Sequence, residues 1–356
     1  MKILAIVQAW DSKHPSGGFT VGWLEEFSRR IETLIVLALE QRESAFLPNI
    51  KIYSLGKEKY RGFGCCLFYL WQWHKKIRRI VRDDKPDIVF THMTPIYSVM
   101  AYPYVFIKRI PITTWFIHPR VSLILKLAHF LSARIFSATI NSYPYYKNKL
   151  IPLGHGIDTK LFSPSMKPLA KKPLILCVGR LSSIKDHVTL LRSAYLLKEK
   201  VKSSFVINIL GNVVTKDDQI YFNWLKNLII DLNIKDLVSF KPAVPYKELV
   251  DRYGDCSVHV NPTKPGSLDK TALEAMACGR PSLVASPAFS ETLGDYKNKL
   301  LFQYHNERDL ADKLFYFLSA SESEREKIGL YLRERVINNH SLERLAEKLV
   351  INLQKC

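Results

Sequence analysis

Three stretches of the sequence place glycines, cations and carboxylates where a strand hands over to a helix. In VGRLSSIKDHVTLL (178–191) an apolar run ends at Gly179, and Arg180 and Lys185 follow in the turn before an amphipathic segment. A planar guanidinium and a mobile ammonium at the ligand end of a strand suit a diphosphate, whose charge they neutralise as it leaves. The bland alternative is two solvated surface charges. In HPSGGFTVGWLEEF (14–27), Gly17 and Gly18 end a loop and open a helix. Paired glycines let N–H groups approach an anion at a helix N-terminus, where the dipole also favours negative charge; the alternative is a flexible turn. In VHVNPTKPGSLDKTALEAMACGRPSLVAS (258–286) a strand runs into a Pro/Gly/Ser loop, and a short helix starts near Thr271. Glu274 is expected in its first turn, where it either caps the helix dipole or accepts both hydroxyls of a ribose. Periodicity leaves both roles open.

Other ligand chemistries lose weight on spacing. No G-x-G-x-x-G is present, since Gly17-Gly18 and Gly22 are wrongly spaced, and there is no Walker A or H-E-x-x-H sequence. No two Asp residues stand at i, i+2, so a D-x-D metal motif is missing, and no metal or cofactor is expected. Six Cys form no C-x-x-C pair, which leaves neither a zinc site nor a disulfide framework and favours a reducing compartment.

The elements that must position these residues follow from the alternation of short apolar runs with amphipathic segments, the pattern of parallel α/β sheets. The first half predicts strands near 2–7, 33–38, 87–91, 112–117 and 134–138, with helices near 19–30, 66–82, 95–108 and 122–132. SPSMKPLAKKP (163–173), with three prolines and three lysines, reads as an exposed linker. The pattern then restarts, with strands near 173–178, 205–210, 237–240, 256–260 and 282–285. Helices are expected near 187–199, 217–232, 246–253, 271–277 and 306–319. The chain therefore reads as two Rossmann-like domains, 1–165 and 166–340, with a cleft between them. An amphipathic C-terminal helix, 341–356, suits packing on either one. At 356 residues and 47% apolar content there is material for two cores.

With PLGHGIDTKLFSP (152–164), KPDIVFTH (85–92) and TTWFIHP (113–119), the second and third junctions resemble the signature segments of GT-B glycosyltransferases of family 4. The resemblance implies a metal-independent, retaining enzyme. It would move a sugar from a nucleotide-diphosphate donor to a saccharide or lipid-linked acceptor, in envelope polysaccharide or lipopolysaccharide synthesis. It places Arg180 and Lys185 on the donor diphosphate, Glu274 on the donor ribose as the second Glu of an E-x7-E motif, and His118 at the reaction centre. Gly17 and Gly18 would approach the donor phosphate or the acceptor, and Val244 and Leu249 would contact the base. The sequence departs from the family pattern at Gly266, where the first Glu would stand. In the GSLDK loop that replaces it, Asp269 is expected to take a sugar hydroxyl, with Ser267, Lys270 and Thr271 around the donor. His155 also stands where many relatives have Asn. The competing reading of Gly266 is a catalytically silent nucleotide-sugar-binding module; a third is a basic surface-binding protein using the fold as a scaffold.

The charge is +19 and uneven. Residues 57–82 hold eight basic residues and one acid, interleaved with Phe63, Phe68, Tyr69, Trp71 and Trp73. This segment reads either as a helix at an anionic membrane surface or as a core-packed crossover helix. Nucleic acid is the lesser partner, since no recognition module is visible. The first apolar run, Ile3–Val7, is too short for a signal-peptide core, and no stretch approaches the ~20 residues of a spanning helix. The expected location is cytoplasmic, peripheral at the cytoplasmic face of a membrane.

Overall fold

A computed structural model describes residues 1–12, 18–43, 47–59, 65–118, 120–165, 172–201, 205–266 and 268–356. The chain divides into two compact units, Met1–Gly156 with Leu342–Cys356, and Ile157–Ser341.

The first unit runs β1 (Lys2–Trp10), α1 (Phe19–Ser28), β2 (Thr33–Gln41), β3 (Ile50–Ser54), α2 (Cys65–Arg79), β4 (Ile88–His92), α3 (Ile96–Val105), β5 (Ile112–Trp115), α4 (Leu123–Leu131), β6 (Arg134–Ser137) and β7 (Leu150–Pro152). Its seven strands are all parallel, in the order β3-β2-β1-β4-β5-β6-β7. A central strand of such a sheet is covered on both faces, so it reads as an unbroken apolar run rather than an alternation. In β1, Ile3, Ala5 and Val7 face one apolar cluster, while Leu4 and Ile6 face the other, which α2 and α3 cover through Trp73, Ile77, Ala101 and Val105.

The second unit runs β8 (Leu174–Val178), α5 (His187–Lys200), β9 (Val206–Leu210), α6 (Lys216–Asp231), β10 (Val238–Lys241), α7 (Leu249–Asp255), β11 (Val258–Asn261), α8 (Lys270–Ala277), β12 (Ser282–Val284), the short helices α9 (Ser290–Leu293) and α10 (Lys297–Leu300), α11 (Glu307–Ser319) and α12 (Glu322–His340). Its five parallel strands are ordered β10-β9-β8-β11-β12. The last helix, α13 (Leu342–Leu353), packs in the first unit, where Leu342, Leu345, Ala346, Leu349 and Leu353 form one stripe against the cluster that holds Val21, Trp23 and Leu24. Each buried leucine of that stripe contributes about 1.5–3 kcal/mol.

Besides the short helices α9 and α10, the elements β3, β7 and α12 have no counterpart among the sequence expectations. β3 and β7 are edge strands; β3 buries only Ile50, and β7 is three residues long with none buried, so neither carries a continuous apolar run. Along α12 the buried residues Ile328, Leu332, Val336 and His340 recur every four residues, a stripe too narrow to stand out among the charges around it.

Candidate functional site

In the second unit the chain leaves β8 for β9 and β10 on one side of the sheet, and β11 leads to β12 on the other. The reversal between β8 and β11 is a topological switch point, and ligands of open α/β sheets bind outside the carboxyl ends of the strands there. The two loops at that point are Gly179–Asp186 and Pro262–Asp269. They carry Arg180 and Lys185 on one side, Gly266 and Asp269 on the other.

Backbone contact holds the neighbouring loops in place. Gly179 N–H donates to the Leu210 carbonyl at 2.9 Å, and Leu181 N–H to that of Asn212 at 3.1 Å. A Cβ on Gly211 would lie 1.8 Å from the Gly179 carbonyl oxygen, so only glycine permits this approach. The Asn212 side-chain oxygen accepts from Ala243 N–H at 3.0 Å, which ties in the loop after β10. Val244 follows in that loop and Leu249 opens α7; both are half-buried against the unit's core.

Each cation meets a carboxylate. Arg180 approaches Asp218, with Nη2 donating to one carboxylate oxygen at 3.3 Å and Nε lying 3.2 Å from the other, so most of its five N–H donors stay available. Asp218 is fixed in turn by the Thr215 capping box at the start of α6. Burial pushes its carboxyl up, but N–H bonds from Thr215 and Val214, the Thr215 hydroxyl and the Arg180 charge outweigh that and lower its pKa. Lys185 closes a single helical turn, Ser183–Lys185, and its ammonium is bonded to the Asp269 carboxylate. Asp269 also accepts from Asn261 Nδ2 at 3.0 Å and from the Thr263 hydroxyl at 3.1 Å. As the N-cap of α8 it accepts from Thr271 N–H as well. Burial opposes its charge, yet Lys185 and these donors hold its carboxyl far below the usual carboxylate range. Four donors from three segments thus converge on one carboxylate. These partners differ from the sugar hydroxyl expected of Asp269.

The environment of Glu274 also differs from expectation. It lies in the second turn of α8, not the first, because the helix begins at Lys270 with Asp269 as cap; it is fully buried. Its carboxylate accepts from the Tyr253 hydroxyl at 3.0 Å, and Tyr246 bonds to it too. Burial drives the Glu274 carboxyl upward, partly opposed by the charge of Lys270 one turn before, while the same burial drives the Lys270 ammonium downward. A cap role for Glu274 is therefore excluded.

Gly266 stands in the loop between β11 and α8. Its φ of +131° lies in a region that side chains with a Cβ rarely enter. Glutamate at this position would be strained in this backbone conformation. Ser267 lies outside the described residues.

In the first unit Gly17 lies outside the described residues, and Gly18 precedes α1 with an ordinary right-handed φ of −58°. His118 is exposed in the segment after β5, and its Nδ1 accepts from Arg120 N–H at 3.1 Å. The basic α2 divides its surface: Trp73 and Ile77 are buried, whereas Leu67, Leu70 and Trp71 are exposed. Part of its charge is used locally, with Lys76 bonded to the Ser54 carbonyl and Lys75 lying 5.2 Å from the centre of the Trp71 ring. Among the described residues no helix is long and apolar enough to cross a membrane.

Asp218, Asn261, Thr263, Tyr246 and Tyr253 are the partners that sequence reasoning did not find. Asn261 and Thr263 at the end of a buried strand carried a usable signal, polar groups at a ligand edge. Asp218 and the two tyrosines reach their partners only through the fold.

Residues 160–335 match the family model described as glycosyl transferases group 1. The chain is similar to the D-inositol 3-phosphate glycosyltransferase of Paenarthrobacter aurescens, 29% identical over 169 residues, which are 45% of this chain and 40% of that protein. It is 30% identical over 169 residues to the enzyme of the same name from Arthrobacter sp. FB24, covering 45% and 39%. The match thus spans about two fifths of these relatives' length. Among solved structures, Anabaena Alr3699/HepE with UDP and glucose aligns over 100% of both chains at a TM-score of 0.77 and 15% identity. A glycosyltransferase from Rickettsia africae aligns over 99% of this chain and 98% of its own at 0.76 and 18%. The fold is GT-B.

Proposed function

We propose that this GT-B chain, with its glycosyl transferases group 1 segment at 160–335, is a retaining glycosyltransferase. In this reading it takes a sugar from a nucleotide-diphosphate donor and passes it to a saccharide or lipid-linked acceptor, in the assembly of a cell-envelope polysaccharide or lipopolysaccharide. The observation that carries the reading is the pair of cations at the switch point of the second sheet, each oriented by a buried carboxylate while keeping N–H donors to spare. The N-terminus of α8, eight residues long, starts at the same edge and adds a partial positive charge.

The chemistry asked of these groups is electrostatic. The bond from the sugar's anomeric carbon to the diphosphate oxygen breaks, and the acceptor hydroxyl forms the new bond on the same face. Its proton passes to the departing phosphate oxygen, so atoms and charges balance without a protein base. Arg180 and Lys185 neutralise the charge that builds on the diphosphate, and fixed counter-carboxylates spare the cost of reorganising them during the reaction. Glu274 is the residue this reading sets against the donor ribose, with Val244 and Leu249 nearer the base.

Arg180→Ala should weaken nucleoside-diphosphate binding by about 1.5–3 kcal/mol, the worth of a charge-assisted hydrogen bond, while the fold persists because Asp218 keeps its Thr215 and Val214 donors. Calorimetry with UDP, GDP and ADP measures it; unchanged affinity for every nucleotide that wild type binds would refute the clamp. Donor turnover distinguishes the enzyme from the silent binding module that Gly266 raises as the second reading.

A further inference from the structure

The sequence between Ile88 and Ile157 contains no Asp or Glu, yet it holds seven Lys and Arg. Those 70 residues include α4, whose outer face is apolar. At 100° per residue, Phe130, Leu123 and Leu127 fall within an arc of about 60°. Leu123 is 80% and Phe130 76% exposed. The opposite face is the buried one: Leu125, Ala128 and His129 point inward, and His129 bonds to the Tyr143 hydroxyl and the Asn148 side chain. The helix is therefore held rigidly with its greasy side out.

Cations border that face. Lys126 is exposed on its border, and Arg120 stands two residues before the N-cap Ser122. Lys149 closes the other end by donating to the carbonyls of His129, Phe130 and Ser132. Arg109 and Phe106, from the end of α3, line a hollow of about 310 Å³ together with Leu131, which extends the apolar surface beyond α4. α3, β5 and the Tyr143–Lys149 segment, which all pack on α4, come from the same acid-free stretch and bring no carboxylate to this surface.

We propose that the outer face of α4 docks the chain onto an anionic lipid bilayer, with Leu123, Leu127 and Phe130 entering the headgroup boundary and the exposed Arg109, Arg120 and Lys126 pairing with lipid phosphates. A nucleic acid would use the charge but has no place for an aliphatic centre. A protein partner has no matching acid or groove to point to it. A bilayer uses both features, since adsorption adds buried apolar area to attraction for anionic headgroups. The docking helix is thus α4 rather than the more basic α2. The inference deepens the proposed function by selecting a lipid-linked acceptor, and its test requires no turnover, so the two can fail separately.

Flotation of the full chain with vesicles of equal phosphatidylglycerol and phosphatidylcholine, against phosphatidylcholine alone, tests it. Wild type should float with the anionic vesicles only, and less as salt rises, because the attraction is screened within about 8 Å at physiological ionic strength. Leu123→Ser with Phe130→Ser should lower partitioning about a hundredfold at unchanged thermal stability, since neither side chain is part of the core. Lys126→Gln should lower it about fivefold, and Lys75→Gln with Arg78→Gln on α2 should leave it within about twofold. Equal binding to neutral vesicles, or full binding by the Leu123/Phe130 double variant, would overturn the proposal. So would a wild-type dimer in solution that the double variant splits, which would assign the face to a second copy.

Discussion

The two sheets of this protein share a parallel architecture but arrange their polar groups differently. In the second unit, charge is taken inside: Asp218, Asp269 and Glu274 are largely or wholly buried and are met there by Arg180, Lys185 and Lys270. In the first unit a chain of hydroxyls runs through the interior from Thr91 through Ser98 and Thr114 to Ser132 at 2.7–2.8 Å, and the buried acids Asp11, Glu40 and Asp84 are met by the more exposed cations Arg42 and Lys51. Most of its excess charge lies on the surface. A cation that is to meet a ligand at one point needs a counter-ion to fix its position, and that counter-ion must be shielded from water to hold it. A cation that is to meet a plane of lipid phosphates needs no such partner. The first unit, residues 1–156 with 342–356, carries 25 Lys and Arg against 12 acids, and so holds the larger excess.

Acid should separate the units most strongly. His187 and His259 are fully buried in the second unit with neither ring nitrogen hydrogen-bonded, and burial pushes both down to about 3. Between pH 6.5 and 3 the unfolded chain protonates these imidazoles and the folded chain does not. Their contribution is complete above pH 6.5 and is lost as pH falls through that window, at about 1.4 kcal/mol per pH unit for each. Hydrogen exchange at pH 5 should show β8 and β11 opening before β1 and β4; the reverse order would contradict the contrast.

Asp269→Ala is next in size. It removes the counter-ion of Lys185 and uncaps α8, and should cost about 3–5 kcal/mol in denaturant unfolding, as when one partner of a buried pair is deleted. Asp269→Asn, which keeps the cap, should recover part of that. A loss below about 1 kcal/mol would mean that the pair positions nothing.

His118→Ala should show the smallest effect on the fold and an effect on chemistry alone. The side chain is exposed in the first unit, so stability and nucleoside-diphosphate affinity should be unchanged. If His118 serves the reacting sugar, turnover should fall on the order of a hundredfold, the loss typical of removing one positioned donor. Equal turnover would return His118 to a turn-closing role through its bond to Arg120.

What could be read along the chain was whatever local sequence controls. Buried parallel strands announce themselves as apolar runs, so β1, β4, β8 and β11 were legible, as was the handover from Val178 to Arg180 and Lys185 at a strand's carboxyl end. The acid-free stretch from Ile88 to Ile157 is equally a property of sequence. The edge strands β3 and β7 and the narrow stripe of α12 were not legible, because half-covered elements need few apolar residues. Partners were settled only by the tertiary structure. Asp218 reaches Arg180, and Asp269 reaches Lys185, because the strand order β10-β9-β8-β11-β12 brings the ends of distant strands together. The fold also decides that Asp269 turns inward as a helix cap. The packing of α4 on Leu125, Ala128 and His129 decides which of its leucines meet solvent. Sequence spacing specifies which groups lie on one element; which groups share a point in space depends on how elements pack, and burial there sets their charge.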